Sequence, residues 1–168
     1  MNKHQDFTCV MDPLLDPPMG GLYLCAMRAS NIVTLIQEKN IHLVIAVMSN
    51  DQNLSKLREK MPKLDIKNFP IEDIEFADLS KYFFDISFKI NSKLTMGQNV
   101  LLISQRGISR SPAAFASYLM IYRKLTYDEA IFHVKDKLKK MNINPGFLNQ
   151  LAQLDILMKT RFTLGQIA

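Results

Sequence analysis

The sequence predicts an α/β fold: a single domain in which a small central sheet is flanked by helices on both faces. Three observations carry this expectation. Ile41-His42-Leu43-Val44-Ile45-Ala46-Val47-Met48 is a near-continuous apolar run rich in β-branched residues, as a strand buried on both faces requires. Val100-Leu101-Leu102-Ile103 repeats that character. Between and after these runs, apolar residues recur three and four positions apart, the spacing of helices that bury one face. A chain of 168 residues, 48% of them hydrophobic, suits one domain of ordinary size.

The elements follow in order. Residues 1–19 hold Pro13, Pro17 and Pro18 and few periodic apolar positions, so they read as an extended lead-in closed by Gly20-Gly21. Gly21-Leu22-Tyr23-Leu24-Cys25 is a short strand. Ser30 is a candidate N-cap for a helix carrying Ile32, Leu35 and Ile36. After the strand at 41–48, a short helix is expected at 53–60 and a weaker strand over Leu64–Ile71, interrupted by Pro70. From Asp78, the residues Leu79, Tyr82, Phe83, Ile86, Ile90 and Leu94 mark one face of a helix that stops near Gly97. The strand at 100–103 leads into a polar turn, 104–110, and then a helix opening Ser111-Pro112. Proline is tolerated there because first-turn N–H groups have no intrahelical partner. Thr126-Tyr127-Asp128-Glu129 is a capping box, opening a helix that runs to about Lys140. A last helix starts near Pro145 and carries Phe147, Leu151, Leu154 and Leu157 or Met158. The domain is expected over 20–160, with 161–168 as a tail. The ten Met and ten Phe read mostly as core.

Composition narrows the function classes. No apolar run is long enough to span a membrane, and MNKHQDFTC lacks the apolar core of a signal peptide. Two cysteines, Cys9 and Cys25, are too few for a disulfide framework, so a reducing compartment, cytosol or nucleus, is expected. Cys25 reads as a small buried residue. The excess of 21 Lys+Arg over 16 Asp+Glu, a net +5, suits an anionic ligand or an ordinary basic surface. Lys135, Lys137, Lys139 and Lys140 read as a solvated helix face, the alternative being a basic rim for acidic or phosphorylated partners. Aromatic residues do not interleave with this patch, which argues against nucleic acid. His and Cys spacing supports no metal site, and no motif implies a cofactor. A monomer is expected.

The informative segment is Ser104-Gln105-Arg106-Gly107-Ile108-Ser109-Arg110-Ser111. A buried strand runs into a tight turn, and a helix leaves it. Successive backbone N–H groups in such a turn converge into an anion-binding nest, and the helix N-terminus adds further donors. Arg110 can grip two phosphate oxygens with its planar fork. Gly107 permits a backbone angle that a side chain resists. The bland alternative is a plain strand-to-helix loop with Arg110 as a surface charge.

Val100 to Ser111 resembles the signature of the dual-specificity protein phosphatases, in which His-Cys, five residues, Arg, and Ser or Thr form the phosphate-binding loop. Gly21-Leu22-Tyr23-Leu24 resembles that family's first strand, Ser117-Tyr118-Leu119-Met120 its helix after the loop, and Asn144-Pro145-Gly146-Phe147 with Gln150-Leu151 its closing motif. The resemblance covers roughly residues 20–158. It implies a single domain with a small mixed sheet and a phosphate-binding loop, Ser104 to Arg110, between a central strand and a helix. It also implies that Asp73 takes the general-acid position, Arg110 holds the phosphoryl oxygens and Ser111 assists the leaving group. The alternative for Asp73 is an ordinary acidic loop, since Glu72, Glu75 and Asp78 stand close by.

At two positions the match fails. Ser104 stands where the family has its nucleophilic cysteine, and Ile103 where it has histidine. A serine hydroxyl needs an adjacent base to attack phosphorus. His4, His42 and His133 fall in the lead-in, a strand and a helix, and read as structural or surface residues. Most similar, on this pattern, are the family's catalytically inactive phospho-Ser/Thr/Tyr-interacting members. They imply phosphorylated proteins or kinases as partners. A second reading is an active phosphatase whose cysteine has been replaced by serine to trap substrate. The change at Ile103 as well speaks against it. A third is a scaffold that binds no phosphate.

Overall fold

The structure, a computed structural model, describes residues 7–11, 19–27, 31–49 and 52–165. Its elements are β1 (Phe7–Met11), β2 (Leu22–Ala26), α1 (Ile32–Glu38), β3 (Ile41–Val47), α2 (Gln52–Lys60), β4 (Asp65–Phe69), α3 (Ser80–Thr95), β5 (Asn99–Ser104), α4 (Arg110–Tyr122), α5 (Tyr127–Lys137) and α6 (Pro145–Gly165). The five strands form one mixed sheet in the order β1-β2-β5-β3-β4, with β1 antiparallel to β2 and every other pair parallel. This is the single-domain α/β architecture that the strand and helix patterns predict.

Alternation along the strands divides the interior in two. Leu22 and Leu24, Leu43, Ile45 and Val47, and Val100 and Leu102 face a large core shared with α3 to α6. Tyr23 and Cys25, Val44 and Ala46, and Leu101 and Ile103 face a smaller core closed by Ile36 of α1 and Leu54 and Leu57 of α2. β5 lies between β2 and β3, so both of its faces are covered, and its unbroken apolar run has this cause. α4 is buried from Arg110 to Ile121. Its small residues Ala113, Ala114, Ala116 and Ser117 let it lie close beneath its neighbours.

Several expectations are corrected. Phe7–Met11, inside the segment read as a lead-in, is an edge strand of the sheet, with Cys9 opposite Tyr23. A five-residue strand at an edge buries too little to show a strong pattern. His4, Ser30 and the three prolines 13, 17 and 18 lie outside the described residues; α1 is preceded by Asn31, which makes no side-chain cap. α5 stops at Lys137 rather than near Lys140, so only Lys135 and Lys137 of the basic run are helical. α6 continues to Gly165, into the segment read as a tail. Phe76, Phe84, Phe88, Phe132 and Met96 are exposed rather than core. On α3 the buried stripe is Phe83, Ile86, Ile90 and Leu94, and Phe84 and Phe88 stand beside it.

Two local features fix how the last helices meet the rest. The capping box at Thr126 is formed: its hydroxyl accepts from the Glu129 amide, and the Glu129 carboxylate accepts from the Thr126 amide at 2.8 Å. That hydrogen bond holds the Glu129 carboxyl below its ordinary value of 4.5. At the start of α6, a Cβ built on Gly146 would stand 1.9 Å from the carbonyl oxygen of Glu75. Glycine there lets the helix lie against the backbone of the 70–79 loop.

Gly146→Ala is therefore expected to destabilise the fold by about 1–3 kcal/mol, the cost of forcing two backbones apart, which urea unfolding would measure. Thr126→Ala is expected to cost about 1 kcal/mol at neutral pH. Because the Glu129 pKa is lowered in the folded state, its contribution is present above the ordinary carboxylate pKa and is lost as pH falls through the lowered value. The difference between wild type and Thr126→Ala should narrow over that acid range.

Candidate functional site

The loop 104–110 sits at the carboxyl end of β5, the central strand, where open α/β sheets present their crevices. Its walls are anchored on both sides. The Ser104 carbonyl accepts from the Met27 amide at 2.9 Å and the Ile108 carbonyl from the Asn142 amide at 2.7 Å. Gly107 has φ of +70°, and a Cβ there would meet the Ala26 backbone at 3.0 Å. Both the conformation and the close approach call for glycine. Among the described residues, the amides of Gln105, Arg106, Ile108 and Ser109 have no protein acceptor and are left for solvent or a ligand.

Ser104, 1% exposed, occupies the floor. Its Oγ accepts from the Gly107 amide at 3.2 Å and, more weakly, from the Ser111 amide at 3.4 Å. The Ser111 hydroxyl lies 2.8 Å away. Either hydroxyl can donate in that pair, so the Ser104 hydroxyl is tied to Ser111 as well as to the amides. Among the described residues, no imidazole is near. His42 Nδ1 accepts from the Asn99 amide at the opposite end of β5, and the His133 ring meets Phe115 edge-on. Ile103 turns the other way, fully buried in the core under α1 and α2, in register with Cys25 and Ala46. Cys25 itself is buried in that same core, as expected of it.

Arg110 opens α4 and is 6% exposed, which excludes the reading of a surface charge. Its Nη1 donates to the Ile71 carbonyl at 2.9 Å, and its Nε lies 3.9 Å from Asp73 Oδ2. Nε is too far from that carboxylate for a hydrogen bond and is left buried with no acceptor. Burial pulls the guanidinium pKa down, and the carboxylates of Asp73 and Glu72 pull it back up. Arginine remains charged at neutral pH under either influence.

Asp73 is brought to the loop and held there. Its Oδ1 accepts from Ser109 Oγ at 2.6 Å and from Asn144 Nδ2 at 2.8 Å. The Asn144 amide donates to Ser109 Oγ at 3.1 Å, while Asn144 Oδ1 accepts from the Phe147 amide at 3.0 Å and so caps α6. Asn144, through its backbone amide and its side chain, thus links the 104–110 loop, the 70–79 loop and the last helix. Gln150 adds a second tie: its Oε1 accepts from the Leu79 and Ser80 amides at the start of α3, and its Nε2 donates to the Ala77 carbonyl at 2.8 Å. Leu79, at the N-cap of α3, makes no side-chain cap, and Gln150 caps the helix from across the fold, beside the Asp78 carboxylate, which accepts from Ser80 Oγ. The structure therefore brings together Ser104, Ser109, Arg110, Ser111 and Asp73. The side chains of Gln105 and Arg106 are not tied into this network, and Arg106 points to solvent. Sequence reasoning missed Asn144 and Gln150 as site-building residues. The signal was their place in the closing motif.

A profile for the dual specificity phosphatase catalytic domain matches residues 22–156. The human serine/threonine/tyrosine-interacting protein is 29% identical over 155 residues, covering 88% of this chain and 66% of that protein, so the chain spans just under two thirds of this relative. Dual specificity protein phosphatase 1-B of Xenopus laevis is 36% identical over 89 residues, 53% of this chain and 24% of the relative. The crystal structure of human DUSP28 superposes with a TM-score of 0.78 at 22% identity, covering 92% of this chain and 95% of that one. On the profile match, which takes in β2 to β5, the 104–110 loop and the first half of α6, this chain belongs to the dual specificity phosphatase catalytic-domain family.

Proposed function

We propose that this protein is a catalytically inactive member of its family that binds phosphorylated Ser, Thr or Tyr segments of partner proteins, kinases included, in the loop Ser104 to Arg110. The reading rests on one contrast within the site. The group that would react is a serine hydroxyl already engaged by the Ser111 hydroxyl and by two amide donors, with no imidazole beside it among the described residues. The group that would bind is retained: a buried guanidinium whose Nε–H lacks an acceptor, beside loop amides that also lack one. A phosphoryl oxygen would satisfy these donors, and charge-assisted hydrogen bonds to a buried arginine are the strong kind. Asp73 takes the general-acid position of the family, but with no leaving group to protonate it serves as counter-charge to Arg110. Such a protein would shield a phosphosite or hold a kinase, as a monomer in the cytosol or nucleus.

Two experiments test this reading. A phosphopeptide is expected to bind measurably more tightly than its unphosphorylated form, and Arg110→Ala should reduce that preference by about 10- to 100-fold in calorimetry or anisotropy. An unchanged preference would remove the loop from consideration as the site. On an aryl phosphate, wild-type protein should release no phosphate. Ser104→Cys should create a thiol with a pKa below about 8.5, because the donors at Gly107 and Ser111 favour the thiolate, and alkylation against pH would show it. Turnover by that variant should stay far below that of an active family member assayed beside it. Adding Ile103→His should not restore turnover, because position 103 faces an apolar core. Full activity from Ser104→Cys alone would favour the reading of an active phosphatase with a substituted nucleophile.

A further inference from the structure

Beside the phosphate loop lies a second concavity, a cleft of about 280 Å³ that does not include Ser104, Asp73 or Arg110. Its cations come from two parts of the chain: Arg106 from the outer turn of the loop, and Lys137, Lys139 and Lys140 from the end of α5 and the connector after it. All four are exposed. Its floor is apolar, with Leu24, Ala26 and Met141. Among the described residues that line it, none is acidic. Lys139 is paired with Asp136 at 3.1 Å just outside the cleft. Arg106, Lys137 and Lys140 have no ion pair or side-chain hydrogen bond among the described residues.

A cation in the last turn of a helix complements the helix dipole, which accounts for Lys137. It does not account for Lys139 and Lys140 beyond the helix, or for Arg106 on another element facing the same space. We propose that this cleft is a docking surface for an acidic segment of a protein partner, an Asp/Glu-rich stretch with interspersed apolar residues. The cations stand on exposed, flexible stems around an apolar floor. That suits several carboxylates spread along a peptide, with apolar side chains seated between them. A single tightly held dianion would call for buried donors such as Arg110. A flat anionic bilayer has no shape to enter a concave cleft. The cleft shares Arg106, Gly107 and Ile108 with the loop but excludes Arg110, so docking here is separable from phosphate binding by variants at Lys137 and Lys140 on one side and at Arg110 on the other.

The test uses the full chain and a short fluorescein-labelled peptide of Glu, Asp and Leu, with its Gln/Asn/Leu counterpart as control, followed by anisotropy. The acidic peptide should bind at least about tenfold more tightly than the amide peptide at low ionic strength, and the difference should shrink as salt is raised. Lys137→Glu with Lys140→Glu should weaken it by about tenfold. The same charge change at Lys56 and Lys60, exposed on α2 in the other helical layer, should weaken it far less, and Arg110→Ala should leave it unchanged. Circular dichroism would verify that each variant is folded, and Arg106→Glu gives an independent reversal should the double variant unfold. Equal loss from the α2 reversal would overturn the proposal in favour of overall charge, and loss from Arg110→Ala would move the acidic peptide into the loop. Binding to phosphatidylserine vesicles without binding to the peptide would overturn it in favour of a membrane. Failure of phosphopeptide binding alone would leave this site standing.

Discussion

Arg110 is a permanent charge placed under the phosphate loop, 6% exposed, and the surrounding structure is arranged to keep it there. An arginine cannot shed its proton to escape burial, so it needs an anion and acceptors within reach. Ile71 supplies a carbonyl and Asp73 a carboxylate. Asp73 then needs its own position held, and Ser109 and Asn144 hold it. Asn144 in turn caps α6, and Gln150, on that helix, caps α3. The loop before α3 is thus pinned at both ends by a helix more than sixty positions further along the chain. Charge-assisted bonds of this kind contribute about 1.5–3 kcal/mol each, enough to offset much of the entropy of ordering an exposed loop.

The two positions at which the sequence resemblance fails lie on opposite sides of one strand. Ser104 closes β5 and looks into the loop, where a hydroxyl reproduces the size and hydrogen bonding of a small polar atom. Ile103, one residue earlier, looks through the sheet into the core under α1 and α2. Strand alternation imposes this split. An imidazole at 103 would need a polar partner within a cluster made largely of aliphatic side chains, Val44, Ala46 and Leu101 among them. The substitution at 103 therefore belongs to the packing of a hydrophobic core as much as to the loose end of a catalytic network.

Much of the fold was legible in the chain. The buried runs at 41–48 and 100–103 and the helical stripe from Leu79 to Leu94 need only their own periodicity to be read, because a strand covered on both faces and a helix covered on one each impose a fixed pattern. The capping box at Thr126 is equally local. β1 was not legible, since a short edge strand owes its existence to the neighbour it pairs with. Nor was the end of α5 or the length of α6, whose boundaries depend on contacts rather than on propensity.

At the site, residue identities and spacing were enough to single out the turn 104–110 and, through the family resemblance, to draw attention to Ser104 and Ile103. They left Asp73 undecided between a placed carboxylate and an ordinary acidic loop, and Arg110 between a buried donor and a surface charge. Tertiary structure decided both, because Ser109, Asp73 and Asn144 are 36 and 71 positions apart and meet only when α6 packs against the loop. It also gathered Arg106 with Lys137, Lys139 and Lys140 around one cleft, where the sequence shows a charge run on a helix. Local pattern records what each segment buries; which charges face one another depends on how the segments close.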